Sequence, residues 1–332
     1  MCPTGAFTHT AGAPDADRRL DTVVADHVPA CSRSYASLLI QTGRITVGGE
    51  LKKPSYRVKP GEIIQGAFPL REAPACNPEP IPLDILFEDR HIIVINKPAG
   101  MVVHPAPGNY SGTLVHGLLH HCPSLGGVGA EMRPGIVHRL DKDTSGVILV
   151  AKQRSVLEQI SRQFKARKIK KQYTALVYGR MAADAGEIAL PVGRHPVHRK
   201  KMSVNSPKGR SAKTLWHVKK RFQHATLLDV DLKTGRTHQI RVHCAAIHHP
   251  LVGDTVYAAG RSTLKSSGRA EVDVQNLLKS APRQMLHARR LELIHPVTLR
   301  KMSFTAPLAE DMRTLIERLS QKDPVLAPVP VS

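Results

Sequence analysis

A proline cluster restricts this chain more than any other feature. Ala73 to Pro82 reads APACNPEPIP, with four prolines in ten residues. Pyrrolidine rings remove amide donors and fix φ, so neither a helix nor an interior strand passes through such a segment. The chain is therefore expected to fold as two bodies joined by a stiff linker over 73–82. Ahead of it, residues 1–17 are rich in Ala, Gly, Pro and Thr without apolar period and are expected to form a disordered tail. This tail has no apolar h-region, and Asp15 and Asp17 precede its first Arg, unlike a secretory or transit signal.

Residues 18–72 carry the pattern of a small helix-and-hairpin module. Leu20, Val23, Val24, His27 and Val28 have helical spacing. A second helix is expected from an N-cap at Ser32 or Ser34 through Leu38, Leu39 and Ile40 to a stop at Gly43. Arg44 to Val47 alternates like a strand, Gly48-Gly49 is a two-residue turn signal, and Leu51 to Val58 is the expected return strand. Pro60-Gly61 marks a further turn. A module of this size is marginal by itself.

Residues 83–315 form the expected larger domain. Ile92 to Ile95 and Val147 to Val150 read as buried strands, Gln172 to Tyr178 and Ala225 to Leu232 as further strands, and Ser155 to Arg167 as a helix. Strands and helices do not alternate, and no Gly-rich nucleotide loop follows a strand. The fold class is therefore α+β with a mainly antiparallel mixed sheet. Residues 261–282 are expected to form an exposed loop insertion, and 316–332 a Pro-rich C-terminal tail.

Charge decides the class of partner. Lys and Arg number 48 against 27 Asp and Glu, a net charge of +21. That excess attracts polyanions at long range. Between Glu187 and Asp229 there is no acidic residue, and the interval holds ten basic ones. Like charges repel, so a single-sign run of this length fits a phosphate backbone better than a solvated face. Aromatic residues make up 4% of the chain, too few to pave an RNA-binding sheet. The five cysteines are widely spaced with no C-x-x-C, so neither disulfides nor a Cys-rich zinc site is expected, and a reducing cytoplasm fits. No apolar run reaches the length of a membrane span. A monomer is the default.

Chemistry concentrates between Arg133 and Lys152, where a polar loop, His138 to Gly146, separates two apolar runs. Asp141, Asp143, Ser145 and Gly146 open like a calcium loop, but Lys152 stands where the bidentate Glu is required. The local pattern then leaves two readings: a turn whose Asp and Thr side chains satisfy backbone amides, or a reactive site. His116 and His120 are one helical turn apart but lack the Glu of a zinc hydrolase, so a packed or exposed helix is the better reading. His138 is expected to make structural hydrogen bonds.

The segment Gly135-Ile-Val-His-Arg-Leu-Asp-Lys-Asp-Thr-Ser-Gly146 resembles the signature of the RluA/RluD family of pseudouridine synthases. The resemblance extends to Asp84–Gly100, Val103-His104-Pro105, Lys171-Gln172-Tyr173, Thr234–His243, His249–Asp254 and Arg283–Ala288. Residues 18–66 resemble an S4 RNA-binding domain through Ser32-Arg33-Ser34, Leu39-Ile40, Gly43 and Val47-Gly48-Gly49, although Gly48 replaces the usual Asn. The combination is most similar to the RluD branch, which modifies large-subunit ribosomal RNA.

This resemblance implies a uridine isomerase without cofactor or metal. Asp141 becomes the catalytic carboxylate, either as nucleophile at the sugar or as base at its C2′ proton. A buried carboxylate needs a cation beside it to stay charged, and the motif offers Arg241, whose alternative role is phosphate binding. Thr237 is the expected N-cap of the helix that carries Arg241. Tyr173 would lie against the uracil, or else be simple core. Arg139 would fill the gap left by the extruded nucleotide, with Arg236 and Lys171 as further RNA contacts and Ile240 beneath the base. Ribosomal RNA or a pre-50S particle is the implied partner. The same chemistry on tRNA, or a non-catalytic assembly factor, are the alternatives.

Overall fold

In the computed structural model the described residues are 5–28, 31–68, 76–106, 108–130, 132–198, 201–258 and 269–322. The chain divides into two compact units, residues 1–75 and 76–332. Among the described residues no helix is long and apolar enough to cross a membrane.

The first unit contains β1 (Gly5–Thr10), α1 (Leu20–His27), α2 (Arg33–Gln41), β2 (Ile45–Val47) and β3 (Ile63–Phe68). Its sheet has the order β1-β3-β2, all antiparallel. Leu20, Val23 and Val24 of α1 and Leu39 and Ile40 of α2 pack on Ile45, Val47 and Ile64. Ser32 caps α2 as expected, its Oγ accepting from the Tyr35 amide.

Two expectations fail here. Residues 5–10 are not a loose tail, because all six pair with β3. Thr, Phe and His alternate there (AFTHT), a short β pattern that the Ala/Gly/Pro composition obscured. Residues 51–58 are not the return strand. Pro54 interrupts them, and their carbonyls instead serve the start of α1: the amides of Leu20 and Asp21 donate to Tyr56 and Pro54. The partner of β2 is β3.

The second unit holds β4 (Ile85–Glu88), β5 (Ile92–Lys97), α3 (Leu114–His121), β6 (Ser145–Ala151), α4 (Arg154–Lys165), β7 (Lys170–Tyr178) and β8 (Ala185–Ile188). There follow β9 (Gly193–Arg194), β10 (Met202–Ser203), β11 (Thr214–Arg221), β12 (Ala225–Leu232), α5 (Gln239–Ala246), α6 (Arg269–Lys279), β13 (Leu286–Ile294), β14 (Lys301–Thr305) and α7 (Glu310–Lys322). The main sheet runs β4-β5-β6-β13-β7-β12-β11-β8, with β14 on β13. Its strand pairs are antiparallel except β6–β13. This is the mixed, mainly antiparallel α+β sheet that the sequence implies.

Both faces of the sheet centre are covered. Ile92 and Val94 face a cluster with Val156 and Ile160 of α4, whereas Ile93 and Ile95 face one with Leu114 and Leu118 of α3. Each such fully buried side chain contributes roughly 1.5–3 kcal/mol, which explains why β5 is an unbroken apolar run.

Three boundaries are corrected. Residues 76–82 are not a free linker: the Glu79 amide donates to the His116 carbonyl, and its carboxylate accepts from Gly112. Residues 73–75 lie outside the described residues. The expected insertion 261–282 contains α6, whose Val274 and Leu278 pack with Met312, Leu315 and Leu319 of α7. The expected tail from 316 is helical to Lys322 because Leu319 completes that apolar stripe. Residues 259–268 and 323–332 lie outside the described set.

Candidate active site

The parallel seam between β6 and β13 places the polar loop. Ser145 lies opposite His287 and Gly146 opposite Ala288. Gly146 has φ +109°, and a Cβ there would sit 2.2 Å from the Ala288 carbonyl oxygen. Only glycine lets the loop enter the sheet this closely. Just before it, the Asp141 carbonyl accepts from the Thr144 amide at 3.1 Å. The segment does turn, but through its backbone and not through Asp and Thr side chains: Thr144 Oγ1 has no hydrogen-bond partner among the described residues, and the Asp141 carboxylate faces elsewhere.

Two buried basic side chains hold this loop. Lys97 is fully buried and donates to the carbonyls of Pro98, Met101 and Lys142 at 2.7, 2.9 and 3.0 Å. Burial, aided by Arg283, pushes its titration down to about 7. Arg283 donates through Nη1 to the Asp143 carbonyl at 2.8 Å and through Nε and Nη2 to Asp311 at 2.7 and 2.8 Å. Side chains thereby replace the hydrogen-bond partners a regular element would supply.

Asp141 faces Arg241, Nη1 to Oδ2 3.3 Å. The guanidinium is itself clamped by Asp254, Nε to Oδ2 2.7 Å and Nη2 to Oδ1 3.0 Å. Asp254 also accepts from the amides of Val256 and Tyr257. Burial disfavours the Arg241 charge, but Asp254 and then Asp141 more than offset it and its titration is raised. This bidentate clamp leaves Nη1 directed at Asp141, a geometry lysine does not reproduce. Arg241 is 6% exposed, which favours the ion-pair role over phosphate binding.

The helix bearing Arg241 is not capped by Thr237. His238 occupies the N-cap with φ +54° and no side-chain cap. Gln239 does the bonding instead: its Oε1 accepts from the Arg236 amide at 3.0 Å and Thr234 Oγ1 at 2.8 Å. The left-handed backbone brings His238 Nε2 to 3.8 Å from Asp141 Oδ2 while its Nδ1 bonds the Tyr257 hydroxyl at 2.9 Å. Burial lowers the His238 titration, with Asp141 opposing, so the ring is held toward its neutral form.

These groups border a cavity of about 1210 Å³. Ten Lys and Arg side chains line it against four carboxylates, so it suits a polyanion. Arg139, Lys171, Tyr173, Arg236, Ile240 and Arg241 all line it with Asp141. Tyr173 is 7% exposed on β7, and burial together with Asp141 raises its phenol titration. Lys171 lies over the Phe164 ring at 5.7 Å, and burial lowers its titration. Ile240 is buried in the same cluster as Tyr173 and Leu286. Arg236 donates to the Ser211 carbonyl at 3.2 Å. Arg139 is exposed at the rim.

Several side chains have other work. His138 accepts from the Leu149 amide at 2.9 Å, and burial lowers its titration to about 3, so it is a structural acceptor. His116 bonds Thr113 inside α3. Within the basic interval, Arg221 binds the carbonyls of Met181, Ala182 and Ala183, and Lys220 binds Ser320. Arg199 and Lys200 lie outside the described residues. Sequence reasoning quoted Lys97, His238, Asp254 and Arg283 without assigning them roles. For Lys97 a signal existed, since it shares the inward register of Ile93 and Ile95.

Residues 91–246 match the family described as RNA pseudouridylate synthase, and residues 18–64 match the S4 domain. The chain is 42% identical over 310 residues to the uncharacterized RNA pseudouridine synthase YlyB of Bacillus subtilis, covering 93% of this chain and 97% of that protein. It is 40% identical over 321 residues to a Xanthomonas campestris protein named ribosomal large subunit pseudouridine synthase D, covering 96% and 95%. The solved structure of human RNA pseudouridylate synthase domain containing 4 superposes with a TM-score of 0.56 at 26% identity, covering 71% of this chain and 92% of the human one.

Proposed function

The chain belongs to the RNA pseudouridine synthase family, and from that premise we propose that it isomerises uridines of large-subunit ribosomal RNA, with Asp141 as the reacting carboxylate. One observation carries the assignment of the site: the Asp254–Arg241–Asp141 series ends at a cationic cavity wide enough for an extruded nucleotide. The ribosomal substrate is supported by the name of the Xanthomonas relative and by the S4 match.

The reaction breaks N1–C1′, turns the base and forms C5–C1′; the C5 proton leaves and N1 gains one. Asp141 acts on the sugar, as nucleophile at C1′ or base at the C2′ proton, and either route places its carboxylate beside the ribose. Arg241 balances the carboxylate charge while Asp254 fixes its direction. Tyr173 lies against the uracil as a neutral phenol, because burial and Asp141 oppose a phenolate. Ile240 supports the base from below. Arg139 enters the gap left in the RNA, and Lys171 and Arg236 meet the backbone. Extrusion costs a few kcal/mol, which phosphate contacts offset.

Asp141→Asn tests the site. It is expected to bind ribosomal RNA like the wild type and to lose product formation by roughly 10³-fold or more. Wild-type turnover by that variant overturns the assignment. Mapping carbodiimide-dependent reverse-transcription stops in cells lacking the protein tests the substrate. Loss of signal in large-subunit RNA is expected, and loss confined to tRNA overturns the choice.

A further inference from the structure

The N-terminal unit holds a cluster that the isomerisation does not use. His9 lies on β1, Asp15 in the turn ahead of α1, and His27 is the last residue of α1. His9 Nε2 is 2.8 Å from Asp15 Oδ2, and His27 Nε2 is 3.1 Å from Oδ1. The three sets of ligand-type atoms lie within 4.8 Å of one another. The two rings stack with centroids 3.8 Å apart, and each Nε2 contacts one oxygen of the same carboxylate. We propose that His9, Asp15 and His27 bind a divalent transition-metal ion of the zinc type, which fastens β1 to α1.

The donor set and spacing support this. Two imidazoles and a carboxylate suit Zn²⁺, whose bonds to N and O are ~2.0–2.2 Å and whose tetrahedral neighbours therefore lie ~3.3 Å apart. The present separations widen by a few tenths of an ångström to admit the ion. Asp15 is 3% exposed. The Gly12 amide donates to Oδ2 at 3.1 Å, which fixes the carboxylate as an outer partner fixes a metal ligand. Arg18 Nη1 is 3.7 Å from Oδ1, but this side chain also pairs with Asp26 and can turn to it as the ion enters. His27 is partly exposed and leaves a fourth, solvent-facing position.

Position gives the ion a purpose. His9 and Asp15 precede residues 18–64, the S4 match, so the site joins an N-terminal strand to that module. A unit this small has little core to spare, and binding energy at such a clip is folding energy. The inference rests on no part of the catalytic reading.

The test is a Zn²⁺ titration of the metal-stripped full-length protein against a chromophoric chelator at about pH 7.5. One equivalent is expected to bind, with affinity lowered at least tenfold in His9→Gln and in His27→Gln. A His195→Gln/His198→Gln variant, which alters a separate His pair, is expected to keep it. Co²⁺ is expected to give visible d–d bands that His27→Gln abolishes. Absence of a one-equivalent site, or binding unchanged in both single variants, overturns the proposal. His27 is peripheral enough that His27→Gln should fold, and circular dichroism checks this directly.

Discussion

At the scale of single residues, Arg241 has one way to point because Asp254 leaves it no other. Asp254 is completely buried and accepts two bonds from the guanidinium and two from backbone amides. Asp254→Asn removes the charge but keeps the shape. Urea melts are expected to show a loss of about 3 kcal/mol, since the buried guanidinium loses its bidentate carboxylate and keeps only the 3.3 Å contact with Asp141. Turnover is expected to fall further than RNA affinity, because the released guanidinium no longer presents Nη1 to Asp141. A parallel fall in both would mean that Asp254 acts through folding alone. His238→Gln has a different signature: the fold persists, while the group 3.8 Å from Asp141 loses its ring, so turnover drops with RNA binding unchanged. Asp141, Tyr173 and Arg241 were legible because a motif names them. Asp254 and His238 were not, because their roles exist only once α5 and the loop after it bring positions 141, 238, 241 and 254 together. Thr237 misled for a local reason: its hydroxyl is a good cap in general, but the turn closes through the Gln239 side chain instead.

At the scale of elements, the loop that carries Asp141 is neither helix nor strand, so its rigidity is imported. Arg283, just ahead of β13, reaches the carbonyls of Asp143, Gln284 and Leu286, the Ser145 hydroxyl and the Asp311 carboxylate. Arg283→Gln strands Asp311 and the Asp143 carbonyl in a site where the guanidinium was only 7% exposed. The expected cost is about 3 kcal/mol in denaturant melts, with slower turnover and little change in RNA affinity. Retention of full turnover would show that Lys97 alone holds the loop. Strands β5, β6, β7 and β12 and helices α1, α2 and α4 were readable because each strand buries an apolar run and each helix an apolar period. Strand β1 and helix α6 were not, since β1 draws its stability from the six-residue ladder with β3 and α6 from packing against α7. Both are long-range contacts with weak local signals. The return strand assigned to 51–58 failed for the same reason: the carbonyls at 54 and 56 pair with α1, not with the nearest strand.

At the scale of the whole molecule, the net charge of +21 raises local RNA concentration but also burdens the folded state as pH falls. Buried histidines sharpen this. Burial lowers His104 and His287 to about 4 and His138 to about 3. In the unfolded chain each takes up a proton near pH 6.5. Between those values the unfolded state binds more protons, so the contribution of these histidines to stability is full above about pH 6.5 and declines as pH drops. These three groups alone contribute a slope on the order of 3 kcal/mol per pH unit between pH 6 and 5, and burial lowers His238 and His243 in the same direction. Carboxylates do not set this window: Asp15 is held at about 2, and Asp89 and Asp311 are also lowered, so their contribution is lost only at more acid pH. Urea melts at pH 7, 6 and 5 check the slope. His104→Gln is expected to flatten it by about one proton, or ~1.4 kcal/mol per unit; an unchanged slope would mean that the His104 ring already titrates normally in the folded protein. The same proton would add a positive charge near Arg133 and Arg139, whose fields already oppose protonation of His104. Acid loss of activity should therefore begin with the strands and loop around Asp141, and urea melts followed through the S4 unit should lag behind it.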